Sequence, residues 1–138
     1  MKIRGNACYL DASALVKLAT DEVETQALRA RLEGVSVRVT SRVATTEVPR
    51  ALARKGPESV RLADQPLEFA LKGVALVEFT AQIASRAADL LPVTLRTLDA
   101  IHLASALSVG DELDALITYD NRLADAARAA GLNVVAPA

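Results

Sequence analysis

The chain has 138 residues, a formal net charge of -1, 51% hydrophobic and 24% charged residues. That balance reads as a single domain over residues 1–138 with a real core, too apolar for a disordered segment and without a global positive field to attract a polyanion. Aromatics are 3% of the chain, so Tyr9, Tyr119, Phe69 and Phe79 cannot make a base-stacking platform for single strands. Cys8 is the only cysteine and His102 the only histidine, which excludes an internal disulfide, cysteine-pair zinc sites and histidine-rich metal sites. MKIRGNACYL lacks the long apolar core of a signal peptide, and no apolar run approaches membrane-spanning length. The expectation is a cytoplasmic protein with no membrane partner.

Ala7 to Leu10 predicts a first strand, ending at Asp11, and Ala12 to Ala19 a helix at apolar helical spacing. Glu22 to Leu32 predicts a helix capped by Thr20 or Asp21 and stopped at Gly34. Val35, Val37 and Val39 alternate with polar residues as in a strand that ends at Thr40-Ser41. Helix resumes over Arg42 to Lys55 with Pro49 near its start or at a kink, and Gly56-Pro57 breaks the chain. Glu58 to Ala70 predicts a helix that is interrupted or restarts near Pro66, followed by a strand at Val74 to Val77. Thr80 caps a helix to Leu91, Pro92 to Thr97 is a loop, and Leu98 to Val109 is an apolar helix closed by Gly110. A strand at Ala115 to Tyr119, a helix at Asn121 to Ala130 and a short strand at Asn133 to Ala136 complete the pattern. Strands and helices alternate, and the strands are short and apolar on both faces, which is the signature of a parallel sheet covered by helices.

Four acids sit where an apolar run ends or a helix begins: Asp11 in YLDASALVKL, Glu47 in ATTEVPRAL, Asp99 in RTLDAIHLASAL and Asp120 in LITYDNRL. Taken singly, Asp11 and Asp120 are explained as helix caps, and Asp99 and Glu47 as acids favoured in a first helical turn. Taken together they are harder to dismiss, because the carboxyl ends of strands in a parallel sheet share the edge where ligands bind. Carboxylates gathered in one cleft repel each other unless a cation lies between them, and hard divalent ions are the usual answer. Such a site serves many nucleases and phosphoryl-transfer enzymes. Thr118, two residues before Asp120, faces the same way along an extended segment, and Ser13 follows Asp11 closely enough to cap the helix or approach a metal-bound water. His102, three residues after Asp99, is read as a packing histidine and Lys17 as a solvated lysine. Arg42, Arg50, Arg54, Lys55 and Arg61 form a basic stretch around Glu47, which by default is a solvated helix face.

These pieces, in this order and spanning Cys8 to Val135, resemble the PIN domain, and within it the ribonuclease toxins of the VapC type. The resemblance implies a three-layer α/β/α sandwich around a mainly parallel sheet. It implies that Asp11, Glu47, Asp99 and Asp120 are the catalytic acids, with Asp11, Asp99 and Asp120 as metal ligands and Ser13 and Thr118 in support. It further implies a magnesium- or manganese-dependent endoribonuclease acting on single-stranded or loop RNA, a cognate antitoxin as partner, and a homodimer. A non-catalytic PIN-like binding module is the alternative, disfavoured because all four acids are present. A phosphoacceptor receiver domain is disfavoured because no acidic pair follows the first strand and no lysine follows residue 72. A flap-directed DNA nuclease would need added elements that 138 residues do not hold.

Overall fold

The computed structural model describes residues 6–56 and 66–138. Five strands form one sheet: β1 (Ala7–Leu10), β2 (Val37–Ser41), β3 (Val74–Val77), β4 (Leu113–Ile117) and β5 (Val134–Val135). Their spatial order is β3-β2-β1-β4-β5, and every neighbouring pair is parallel. The helices are α1 (Ala12–Ala19), α2 (Thr25–Leu32), α3 (Ala44–Lys55), α4 (Pro66–Leu71), α5 (Ala81–Ala88), α6 (Thr97–Val109) and α7 (Asn121–Ala129), with a 3-10 turn at Gly110–Glu112 before β4.

Strand alternation divides the core in two. Cys8, Leu10, Ala115 and Ile117 point to the face covered by α1, α2, α3 and α4. Ala7, Tyr9, Val39 and Leu116 point to the other face, against α6 and α7. Both faces are covered, which is why these strands are apolar throughout rather than alternating with polar residues. Helix α6 is buried from Ala100 to Ala106 because it lies between the sheet and α5; a helix apolar all round needs partners all round. Burying a large apolar side chain such as Leu116 or Leu103 contributes about 1.5–3 kcal/mol, and both are fully inaccessible.

The strand order is what positions the site. The chain builds β1, β2 and β3 towards one edge, then returns to add β4 and β5 on the other side of β1. The reversal lies between β1 and β4, and the crevice beyond their carboxyl ends is where such sheets bind ligands. Asp11 follows β1 directly, and Thr118 follows β4 directly.

Several boundaries differ from the sequence reading. The strand expected over 115–119 runs over 113–117; the Thr118 N–H still bonds the Val135 carbonyl at 3.2 Å while its side chain turns to Asp11. The helix expected from Glu22 starts at Thr25, and neither Thr20 nor Asp21 caps it. Instead the Thr25 hydroxyl accepts the Glu22 N–H at 2.9 Å and donates to the Lys17 carbonyl at 2.8 Å, so residues 22–24 form the corner between α1 and α2. The helix expected to reach Leu91 stops at Ala88, ahead of Pro92, while Thr80 caps it as expected by accepting the Ile83 N–H. Helix α3 starts at Ala44 rather than Arg42 and, as expected, runs on through Pro49 to Lys55. The expected helix from Glu58 is described only from Pro66 onward; its earlier part, with Arg61, lies outside the described residues.

Candidate active site

Asp11 is the N-cap of α1, its Oδ1 accepting the Ala14 N–H at 3.0 Å, so the capping role anticipated for it is real. It does more than cap. It is almost wholly buried, and two hydroxyls also donate to it: Ser13 Oγ to Oδ1 at 2.6 Å and Thr118 Oγ1 to Oδ2 at 2.6 Å. These hydroxyls are tied in turn to the turn after β4. Ser13 Oγ accepts the Tyr119 N–H at 2.9 Å, and Thr118 Oγ1 accepts the Asp120 N–H at 3.0 Å. Ser13 and Thr118 thus stitch the end of β1 to the end of β4 across the topological reversal. Burial raises the Asp11 carboxyl above its ordinary range, against the opposing pull of the Ser13 and Thr118 hydroxyls.

Asp120 caps α7, its Oδ1 accepting the N–H groups of Arg122 and Leu123. Its other oxygen meets Arg96, whose guanidinium bridges two acids: Nη2 donates to Asp120 Oδ2 at 2.5 Å and Nε to Asp99 Oδ2 at 3.1 Å. Asp99 lies in the first turn of α6, and its carboxyl is raised by burial first, then by the charge of Asp120, with Arg96 opposing. Arg96 was not singled out in the sequence. It lies in the loop before α6, where no periodic pattern marks it.

Glu47, in the first turns of α3, receives its contact from across the sheet edge. His102 Nε2 lies 2.6 Å from Glu47 Oε1, and His102 Nδ1 lies 2.7 Å from the hydroxyl of Tyr9. The histidine is buried, as expected for packing, but both ring nitrogens are engaged, so packing alone does not describe it.

A cleft of about 810 Å³ opens beside Glu47 between α1 and α3, lined among others by Ser13, Lys17, Arg50, Arg54, Lys55 and Tyr119. Three members of the basic stretch therefore face one groove next to the acids. Arg42 does not; it forms a bidentate pair with the exposed Glu78. Lys17 is not a free solvated lysine. It pairs with Glu24, lies 3.8 Å from Glu22 and sits over the Tyr119 ring at 4.8 Å.

The PIN domain family matches residues 8–129. The chain belongs to the PIN-domain family. Within it, the chain is 48% identical over 131 residues to Ribonuclease VapC46 of Mycobacterium tuberculosis (strain ATCC 25618 / H37Rv), covering 95% of this chain and 98% of that one. It is 43% identical over 133 residues to Ribonuclease VapC35 of the same organism, covering 94% and 96%. In three dimensions it is similar to the crystal structure of M. tuberculosis VapC20, a sarcin-ricin loop cleaving toxin, with a TM-score of 0.70 at 20% identity over 94% of this chain and 99% of that one. It also matches a chain of VapBC2 from Rickettsia felis, solved bound to a promoter DNA fragment, with a TM-score of 0.71 at 12% identity over 96% and 99%. The fold is thus the expected α/β sandwich, with an entirely parallel sheet.

The candidate site offers the donors that hard divalent cations take: carboxylate and hydroxyl oxygens, with no soft ligand among them. Among the described residues no three carboxylate, imidazole or thiol groups stand close enough to share one ion as placed. Asp99 and Asp120 instead share the guanidinium of Arg96, a positive charge already seated between two of the three expected ligands. The donor set fits a divalent ion, on condition that Arg96 yields those oxygens to it.

Burial of Asp11 has a consequence for stability. Its folded-state pKa lies above its unfolded value, so the folded protein holds the proton more tightly, and the Asp11 contribution falls as pH rises from about 4 through the folded-state value. In chelator, Asp11→Asn removes that loss. Thermal melts should show the gap in Tm between the variant and wild type widening in the variant's favour as pH rises. A gap independent of pH would contradict the burial of a charged Asp11.

Proposed function

We propose that this PIN-domain chain is an endoribonuclease toxin that hydrolyses phosphodiester bonds in single-stranded or loop RNA with magnesium or manganese. A cognate antitoxin would neutralise it, and a second copy would complete a homodimer. The observation that supports this most is the convergence on one crevice of Asp11, Ser13, Thr118 and Asp120, joined by hydrogen bonds between the ends of β1 and β4, with Asp99 coupled to Asp120 through Arg96. The ribonuclease names of the VapC relatives support the same substrate class.

Asp11, Asp99 and Asp120 would hold the cation, with Ser13 and Thr118 fixing Asp11. A bound divalent ion neutralises phosphate charge and lowers the pKa of water in its shell. Glu47, fixed by His102, takes the proton of the attacking water. Arg50, Arg54 and Lys55 in the adjoining cleft seat the RNA backbone, a local attraction that the net charge of the chain conceals. In-line attack with the 3′ oxygen departing leaves a 5′-phosphate and does not need the 2′-hydroxyl.

Expression of the wild-type chain without an antitoxin should arrest growth of a bacterial host and yield RNA fragments with 5′-phosphate ends. Asp99→Asn, expressed to the same level, should do neither. Growth arrest by the variant, or fragments ending in 2′,3′-cyclic phosphate, would contradict the proposal.

A further inference from the structure

His102 is a buried polar group that the capping and metal-binding roles leave unused. It lies on α6, one turn after Asp99, and is about 1% exposed. Both ring nitrogens meet oxygen at short distance: Nε2 to Glu47 Oε1 at 2.6 Å and Nδ1 to the Tyr9 hydroxyl at 2.7 Å. Tyr9 is itself fully buried on β1, with its ring edge-on to the imidazole at 5.8 Å between centroids and 77° between planes. Three elements far apart in the chain thus form one line: β1 through Tyr9, α6 through His102 and α3 through Glu47.

We propose that His102 is the positioning residue for Glu47, donating from Nε2–H to the carboxylate, with the Tyr9 hydroxyl anchoring the ring at Nδ1. This deepens the proposed function and rests on the assignment of Glu47 to the reaction there. Glu47 is only partly buried and has three side-chain torsions, so without a partner it would sample several rotamers. No other side chain hydrogen-bonds to it among the described residues. A buried ring anchored at Nδ1 by the fully buried Tyr9 hydroxyl cannot swing, so its Nε2–H defines one direction for the carboxylate. Partners of this kind, which orient a group rather than touch the reacting atoms, typically affect activity 10–100-fold.

His102 is the only histidine in the chain, so its ring nitrogens give one unassigned-free set of ¹⁵N signals. In metal-free protein without RNA, these should show Nε2 protonated. Glu47→Gln should shift the Nε2–H signal, since a charge-assisted bond becomes a neutral one, and Tyr9→Phe should shift Nδ1. On RNA, His102→Leu should lose 10–100-fold in kcat with KM little changed, and His102→Gln, which restores a donor, should recover part of it. Signals unaltered by Glu47→Gln, or a folded His102→Leu variant with wild-type kcat, would overturn the positioning role. A Glu47→Gln variant that cuts normally would instead overturn the role of Glu47 in the reaction, so the two failures are distinguishable.

Discussion

Asp11→Asn abolishes RNA cleavage in this account while leaving the fold intact. The carboxylate is placed by three donors and lies at the reversal between β1 and β4, so it is the most firmly fixed of the acids. Losing its charge would weaken the proposed hold on the cation, and the expected fall in kcat is at least about 10²–10³-fold. The fold survives for a specific reason. Asparagine caps helices as well as aspartate does, so the Ala14 N–H keeps its acceptor. The Ser13 hydroxyl also keeps its acceptor, and the amide faces Thr118 Oγ1, which has lone pairs to receive it. The measurement is steady-state cleavage beside a thermal melt. A folded variant that cuts at the wild-type rate would remove Asp11 from the mechanism.

Thr118→Val carries the largest expected stability change at the site. The side chains are nearly the same shape, so the difference is the hydroxyl. That hydroxyl donates to the buried Asp11 carboxylate at 2.6 Å and accepts the Asp120 N–H at 3.0 Å, and the residue is itself buried. Valine leaves one carboxylate oxygen and one N–H without partners. The expected cost is about 2–4 kcal/mol, and the corresponding fall in Tm is about 10 °C. Thr118→Ser keeps both hydrogen bonds and should lose no more than about 1 kcal/mol. Chemical denaturation of both variants in chelator checks this. Equal destabilisation by serine and valine would mean that the methyl, not the hydroxyl, matters at this position.

Much of the site was legible because three of its residues obey local rules. Asp11 and Asp120 each end a buried run and begin a helix, and in a parallel sheet such positions fall on one edge. Thr118 follows from the two-residue period of an extended segment, which continues past the end of β4 with a bond to Val135. What failed was reading each contact from one element alone. A lone histidine in an apolar helix looks like packing, and only the fold brings Glu47 to one side of it and Tyr9 to the other. Two local hints existed: His102 follows Asp99 by one helical turn, and Tyr9 precedes Asp11 by two residues, on the same face of the strand. Arg96 gave no such hint, since a loop arginine has no period. The described residues of the basic stretch are exposed, as a solvated helix face should be. Net charge sums the whole surface, whereas Arg50, Arg54 and Lys55 line one cleft, which a sum over the chain does not reveal. The expected helix through Pro49 holds because one missing N–H is a local loss within a helix packed through Ala44, Val48 and Leu52.

The central claim is that these carboxylates make a metal-dependent ribonuclease site. Its most direct test is cleavage of a panel of structured RNAs by the purified chain with magnesium, with manganese and with chelator, beside Asp99→Asn. Cutting should require the divalent ion, return when the ion is restored after chelation, and be absent in the variant. Cutting that persists in chelator, or that Asp99→Asn performs at the wild-type rate, would contradict it.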